Sequence, residues 1–95
     1  MITILGSTGT IGKNTLSVLK NTGRKNTVFA LSANKNIKLL FRQIKIFNPK
    51  YAVISEKSNA LKLINLCNAD KIKTKILFGE NNLSFISTHK QCKCV

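Results

Sequence analysis

A glycine-rich turn near the N-terminus contains the residues whose spacing best fits a binding chemistry. Gly6, Gly9 and Gly12 follow a short β-rich run and open a helical pattern. In such a turn the first glycine lets the chain leave the strand sharply, the second lets a pyrophosphate approach the backbone amides, and the third lets the helix pack closely. Hydroxyl groups that can donate hydrogen bonds to phosphate oxygens occur in the same turn, at Ser7, Thr8 and Thr10.

The spacing of this turn is GxxGxxG rather than GxGxxG, and a glycine triplet between a strand and a helix can also be purely structural. We favour the phosphate-binding interpretation because a strand-like run precedes the turn and a helical pattern follows it, which is the context that a dinucleotide-binding turn requires.

The end of the second strand-like run bears on which nucleotide is bound. A site selective for NAD usually has Asp or Glu about twenty residues after the turn, to bind the ribose hydroxyls. Here the chain has Asn34, Lys35 and Asn36 and no acid. A cation beside two amides suits the 2′-phosphate of NADP. Alternatively, Lys35 is an ordinary surface lysine, and Asn34 or Asn36 caps the next helix.

The elements that must position these residues alternate along the chain. Helical spacing of apolar residues alternates with short β-rich runs. The predicted strands are Ile2–Leu5, Thr27–Leu31, Tyr51–Ile54 and Lys75–Phe78, and the predicted helices are Thr10–Asn21, Asn36–Phe47 and Ser58–Cys67. This order predicts an α/β fold, a Rossmann-like doubly wound parallel sheet, incomplete, with about four strands and flanking helices.

Helical spacing also predicts which side chains face the core. The first helix has two stripes, one of Ile11, Thr15 and Val18 and one of Gly12, Leu16 and Leu19. The second helix has a clear apolar face that consists of Ile37, Leu40, Phe41, Ile44 and Phe47. It should end at Asn48-Pro49, since proline lacks an amide donor. For the third helix we expect Ala60, Leu61, Ile64 and Cys67 to face inward.

The composition is that of a globular domain with an unusual charge. The 95 residues include 16 Lys+Arg and only 3 Asp+Glu, which gives a net charge of +13. Such an excess favours partners that carry phosphate. However, all but Arg24 and Arg42 are lysines, dispersed among many Asn and Ile residues, which is typical of A/T-rich coding bias. We therefore treat most of the charge as a solvated background.

Several classes of protein are disfavoured. No apolar stretch approaches the ~20 residues that span a bilayer. The first residues form a strand-like run, Ile2–Leu5, without a basic region followed by a long apolar one, so we expect no secretory signal. The 3 cysteines lack framework spacing, which fits a reducing, cytoplasmic compartment. A nucleic-acid-binding module is an alternative that the 6% aromatic content and the dispersed lysines disfavour.

The C-terminal segment contains a small cluster of potential metal ligands. His89, Cys92 and Cys94 form an H-x₂-C-x-C pattern, but a structural zinc site normally has four ligands in spaced pairs. We interpret the segment as the approach to a fifth strand and predict no metal site. Cys67 is most simply a small buried apolar residue.

Three segments resemble one known family. They are the run from Ile2 to Gly12, the turn Ala33-Asn34-Lys35-Asn36, and the stretch Phe47-Asn48-Pro49-Lys50-Tyr51-Ala52-Val53-Ile54. They are similar to the N-terminal part of 1-deoxy-D-xylulose 5-phosphate reductoisomerases, and the resemblance weakens beyond Gly79. It implies an NADPH-dependent enzyme of the non-mevalonate isoprenoid pathway. Such an enzyme rearranges and reduces its sugar phosphate to 2-C-methyl-D-erythritol 4-phosphate with a divalent metal, usually as a homodimer.

The resemblance also implies positions for the NADPH contacts. They would fall on Thr8, Gly9, Thr10 and Ile11 in the first turn and on Asn34, Lys35 and Asn36 in the second. Thr10 replaces the commoner Ser and keeps its hydroxyl. Asn34 replaces a common Gly, so that its side chain either crowds the adenosine end or adds a donor to it.

Family members are several times longer than this chain. Their metal-binding carboxylates, catalytic loop and substrate-phosphate site have no counterpart here, because Glu56, Asp70 and Glu80 are scattered along the sequence. We therefore expect residues 1–95 to form an NADP-binding N-terminal domain, truncated near a fifth strand, with no catalytic or metal-binding residue and no activity alone. Its expected partners are a nucleotide and, in the family, a second subunit, rather than nucleic acid or membrane. The alternative is an inactive remnant that at most binds NADPH.

Overall fold

Strands alternate with helices along the chain. The computed structural model describes residues 2–79, Asn82 and residues 93–94. The strands are β1 (Ile2–Ile4), β2 (Val28–Ala33), β3 (Tyr51–Ile54), β4 (Lys75–Phe78) and β5 (Lys93–Cys94). The helices are α1 (Thr10–Asn21), α2 (Ile37–Phe47) and α3 (Lys57–Ala69), and a short 3₁₀ turn (Lys25–Thr27) precedes β2.

The strands form one parallel sheet whose order reverses at β1. The order is β4-β3-β2-β1-β5, and each neighbouring pair is parallel. The chain thus moves outward from β1 to β4 and then returns to pair β5 with the other side of β1. This reversal is the topological switch point of doubly wound folds, at which ligands bind beyond the carboxyl ends of the strands. The predicted fold class is confirmed, with a short fifth strand in addition.

Helix α2 follows its sequence pattern closely. The Asn36 side chain caps it, since its Oδ1 accepts a hydrogen bond from the Leu39 amide at 3.2 Å. The helix ends at Asn48, which adopts the left-handed conformation with φ 47° before Pro49. Leu40, Ile44 and Phe47 on its inner face are buried, as predicted.

Only one of the two stripes of α1 is buried. Gly12, Leu16 and Leu19 face the sheet, whereas Ile11 and Val18 are 79% and 60% exposed. The buried apolar side chains of all three helices belong to one core cluster together with Ile4, Leu31 and Ile54 of the strands.

The inner face of α3 differs from the predicted one. Leu63 is fully buried beside Ala60 and Cys67, whereas Leu61, which was expected to face inward, is 52% exposed and Ile64 is only half-buried. Ala60, Leu63 and Cys67 are spaced by three and four residues, so they form one helical stripe. The stripe that contains the small Ala60 and Cys67 lets the helix lie close to the sheet.

Strand β2 ends two residues later than predicted. The expected strand ended at Leu31, but β2 continues through Ser32 and Ala33 because it pairs with β3 at both positions. β2 is a central strand, and all its residues are buried. Because of this extension Ser32 belongs to the sheet and lies next to the glycine turn.

The predicted cluster of potential metal ligands lies mostly outside the described residues. His89 and Cys92 lie outside the described residues, and only the backbone of Cys94 is described, in β5. In the part of the chain that the structure describes, no three His, Cys, Asp or Glu side chains lie close enough to hold a metal ion. None of the described helices has the length and apolar character needed to cross a bilayer.

Candidate nucleotide site

A cleft of about 610 Å³ lies at the carboxyl ends of the parallel strands. Each strand from β1 to β4 contributes residues at its carboxyl end or directly after it. The lining residues are Leu5, Gly6, Thr8, Gly9, Ser32, Ala33, Asn34, Val53, Ser55 and Gly79. The cleft therefore joins the glycine turn to the turns after β2, β3 and β4.

Two glycines of the turn are required by the fold itself. Gly6 has φ +64°, in the left-handed region that glycine adopts without strain. A Cβ on Gly12 would lie 2.4 Å from the Gly6 carbonyl oxygen and 2.7 Å from the Ser7 Cα. Close packing of α1 on the turn thus excludes any side chain at position 12, as the sequence predicts.

Gly9 is required by neither its backbone conformation nor its packing. It has φ −80° and ψ 174°, which any residue adopts, and an added Cβ would meet only the Gly6 carbonyl oxygen, at 3.4 Å. The fold would accept a methyl group at this position. The bare backbone of Gly9 leaves space on the cleft side of the turn, where a ligand can approach.

The N-terminus of α1 is free to bind an anion. Gly9 is the N-cap and provides no side-chain hydrogen bond, and the first turn has no acidic residue. The amides of Thr10, Ile11 and Gly12 belong to the first turn, where amides have no partner within a helix. Since the helix dipole also favours negative charge here, the geometry suits a phosphate group.

Ser32 of strand β2 fixes the glycine turn through two hydrogen bonds. The Gly6 amide donates to Ser32 Oγ at 3.0 Å, and the Ser7 amide donates to the Ser32 carbonyl oxygen at 2.7 Å. Ser7 is fully buried. The prediction that its hydroxyl is a phosphate donor is therefore wrong, because this side chain points into the protein. Thr8 is half-buried and lines the cleft, and Thr10 is exposed at the start of α1.

The second predicted set of contact residues lies in the turn between β2 and α2. Asn34 lines the cleft, and its Oδ1 accepts a hydrogen bond from the Ser55 hydroxyl of the next turn. Asn36 caps α2, as one alternative interpretation held, and its side-chain amide nitrogen is not used in that cap. Lys35 is exposed between them and does not line the cleft.

Sequence reasoning missed several residues at the cleft. Ser55 and Gly79 follow β3 and β4, and their position directly after predicted strands could have indicated them. Gln43 was also missed, although it lies three residues after Leu40 and four before Phe47 and is therefore a polar residue on the apolar face of α2. It is buried, and its Nε2 donates to the Ser7 carbonyl oxygen at 2.8 Å.

A thiol with a raised pKa lies away from the cleft. Burial raises the pKa of the Cys67 thiol, and the nearby Asp70 carboxylate raises it further. This thiol faces the core, as predicted. Asp70 itself lies 3.4 Å from Lys45 Nζ at the surface. The described carboxylates of Glu56 and Asp70 thus take no part in the cleft.

The parallel, doubly wound sheet and the glycine turn at its carboxyl edge define a Rossmann-like domain. A family model described as 1-deoxy-D-xylulose 5-phosphate reductoisomerase matches residues 2–95. The chain belongs to this family. It is 43% identical to the reductoisomerase of Clostridium botulinum strain Okra over 95 residues and 39% identical to that of Clostridium novyi strain NT over 94 residues. Each match covers 99% of this chain but only 24% of the relative.

Solved structures of the same family share the fold. A reductoisomerase from Zymomonas mobilis in complex with NADPH matches 86% of this chain and 21% of its own, with 35% identity and a TM-score of 0.76. A reductoisomerase in complex with NADPH, fosmidomycin and magnesium matches 96% of this chain and 22% of its own, with 25% identity and a TM-score of 0.88. The chain thus corresponds to about a fifth to a quarter of these proteins.

Proposed function

We propose that residues 1–95 form the NADPH-binding domain of a 1-deoxy-D-xylulose 5-phosphate reductoisomerase. One observation carries this proposal: the cleft meets the uncapped N-terminus of α1 at Gly9, a glycine that the fold does not require. A bare N-cap beside unpaired amides is the arrangement that receives a pyrophosphate. The NADPH complexes of structurally similar reductoisomerases support the choice of cofactor.

In this proposal the pyrophosphate lies on the glycine turn. The amides of Thr8, Thr10 and Ile11 face its oxygens, and the Thr10 hydroxyl adds a donor. Gly9 contributes open space rather than a donor, because its own amide donates to the Gly6 carbonyl oxygen at 3.0 Å. The 2′-phosphate lies beside Lys35 and is bound by its ammonium group and by the side-chain amides of Asn34 and Asn36. The Ser55 hydroxyl orients Asn34 through its hydrogen bond to Oδ1.

The reaction proposed for the whole enzyme is the rearrangement and reduction of 1-deoxy-D-xylulose 5-phosphate to 2-C-methyl-D-erythritol 4-phosphate. NADPH, when bound, supplies the hydride, and this domain supplies orientation and electrostatics. Glu56 and Asp70 do not form a ligand cluster for a divalent metal, so in this proposal the metal ligands lie outside the described residues. We further propose a cytoplasmic homodimer, and we expect the 95 residues alone to be inactive.

A matched pair of lysine variants tests the assignment. We expect Lys35→Ala to weaken NADPH binding about tenfold, because an ion pair to phosphate is worth on the order of 1.5–3 kcal/mol and this one is exposed. NADH affinity should not change, since NADH lacks the 2′-phosphate. Lys38→Ala removes the same charge from the exposed face of α2 and should leave both affinities unchanged. Titration of nucleotide fluorescence measures all four values.

Equal affinity of the unmodified chain for NADH and NADPH would contradict the assignment to NADP. Equal losses in the Lys35 and Lys38 variants would show that general charge, rather than a defined site, attracts the cofactor.

A further inference from the structure

Gln43 is a buried polar residue on the apolar face of α2. It is 5% exposed, and its neighbours on that face, Leu40, Ile44 and Phe47, are buried apolar residues. At such a position an apolar side chain of similar volume would stabilise the fold more, because burying an amide is unfavourable unless it is fully hydrogen-bonded. Gln43 is not fully bonded, since its Oε1 has no hydrogen-bond partner in the described structure.

The one hydrogen bond that Gln43 donates reaches the glycine turn. Its Nε2 lies 2.8 Å from the Ser7 carbonyl oxygen. Ser7 is itself fully buried, and its Oγ also lacks a partner among the described residues. Two unpartnered polar atoms thus belong to the two residues that this bond joins. Such unfavourable burial is concentrated at functional sites.

The bond fixes the orientation of a peptide group that borders the cleft. The Ser7 carbonyl and the Thr8 amide belong to one planar trans peptide, in which C=O and N–H point in opposite directions. When Gln43 holds the carbonyl oxygen toward α2, the Thr8 amide points away from α2, and Thr8 lines the cleft. Ser32 holds the preceding peptide through its own carbonyl oxygen, 2.7 Å from the Ser7 amide nitrogen.

We infer that Gln43 is a positioning residue for nucleotide binding, which fixes the Ser7–Thr8 peptide so that the Thr8 amide is aimed at the phosphate. This inference rests on the proposed function. Gln43 itself does not line the cleft and acts only through its hydrogen bond to the Ser7 carbonyl oxygen.

Substitutions at position 43 distinguish positioning from general stability. Gln43→Met keeps the volume but cannot donate a hydrogen bond, so we expect its Kd for NADP⁺ to rise about tenfold at every pH. Gln43→Glu can donate only when its carboxyl is protonated, and burial raises the pKa of such a group. Relative to the unmodified chain at the same pH, its Kd should be about tenfold higher near pH 8.5 and within about twofold near pH 5.5.

The control is Leu40→Met, a volume-conserving change on the same buried face of α2, at a side chain that makes no hydrogen bond to the turn. Its affinity for NADP⁺ should equal that of the unmodified chain at both pH values, and thermal unfolding by circular dichroism should confirm that every variant is folded. The titrations use calorimetry with the 95-residue chain and NADP⁺.

The outcomes separate the two proposals. If the unmodified chain does not bind NADP⁺, the proposed function fails. If it binds and the Gln43 variants bind equally well, or if Gln43→Glu shows no recovery at acid pH, the positioning inference is overturned. If both Gln43 variants are unfolded while Leu40→Met is folded, Gln43 serves stability alone, which also overturns it.

Discussion

A methyl group at position 12 would lie 2.4 Å from the Gly6 carbonyl oxygen, whereas one at position 9 would lie 3.4 Å from the same atom. The first distance is a clash with backbone, and the second is an ordinary contact. At the residue scale, two glycines of one turn therefore serve different purposes. Gly12 allows α1 to pack closely on the turn, and Gly9 leaves open space in front of the N-terminus of α1.

This difference predicts opposite phenotypes for two alanine variants. Gly12→Ala should lower the free energy of unfolding by about 3 kcal/mol, because the backbone must move to accept the new Cβ. Gly9→Ala should change it by less than about 1 kcal/mol, since its conformation is open to alanine, yet weaken NADPH binding at least about tenfold by blocking the approach to the amides. Urea unfolding and nucleotide titration measure the two effects. Normal NADPH affinity in Gly9→Ala would contradict the site assignment.

At the scale of elements, the bounds and buried face of a helix could be predicted only where its sequence pattern is unambiguous. Helix α2 has one apolar face, an N-cap asparagine and a following proline, and its bounds and burial were predictable from these residues. Helix α3 has apolar residues at 60, 61, 63, 64, 66 and 67, so two neighbouring stripes fit equally well. Only packing against the sheet selects Leu63 over Leu61.

A matched pair of leucines tests this choice. Leu63→Ala should lower the free energy of unfolding by about 2–5 kcal/mol, because it leaves a cavity in the core. Leu61→Ala should change it by no more than about 0.5 kcal/mol, since the side chain is largely in water. Urea unfolding measures the free energy of unfolding of both variants, and equal m-values make the two values comparable. A loss at Leu61 as large as that at Leu63 would show that α3 is rotated relative to the described structure.

The parts of the candidate site that depend on local glycine and helix-cap patterns could be predicted from the sequence. The contacts between residues far apart in the chain could not. The turn from Gly6 to Gly12 and the segment from Asn34 to Asn36 stand out in the sequence. The contacts of Ser32 and Gln43 with Gly6 and Ser7 span 26 and 36 residues. No spacing rule relates such pairs, because the register of β1 on β2 and the docking of α2 determine them.

At the scale of the whole molecule, the charge is far from balanced. The net charge is +13, and Lys45 with Asp70 is the one ion pair among the described residues. An exposed pair of this kind contributes little to stability. Repulsion among the remaining lysines therefore disfavours the compact state.

Salt should consequently stabilise this protein. Raising sodium chloride from about 20 mM to about 300 mM shortens the screening length, and we expect the Tm to rise by roughly 4–8 °C, as for a gain of about 1 kcal/mol in a domain of this size. A variant with Lys13→Gln, Lys57→Gln and Lys62→Gln, all at exposed positions, should be more stable at low salt and respond less. Differential scanning calorimetry measures both. A Tm that is independent of salt would show that repulsion is unimportant.

The dependence of the glycine turn on Ser32 and Gln43 has a consequence for biosynthesis. A nascent chain that has emerged only as far as the end of α1 contains every glycine of the turn but neither of the residues that hold it. Pairing of β1 with β2 across α1 supplies the first anchor, and docking of α2 supplies the second. If the cleft binds a nucleotide as proposed, full affinity therefore arises during translation only after the second βα unit has left the ribosome, and bound nucleotide then stabilises the assembled units.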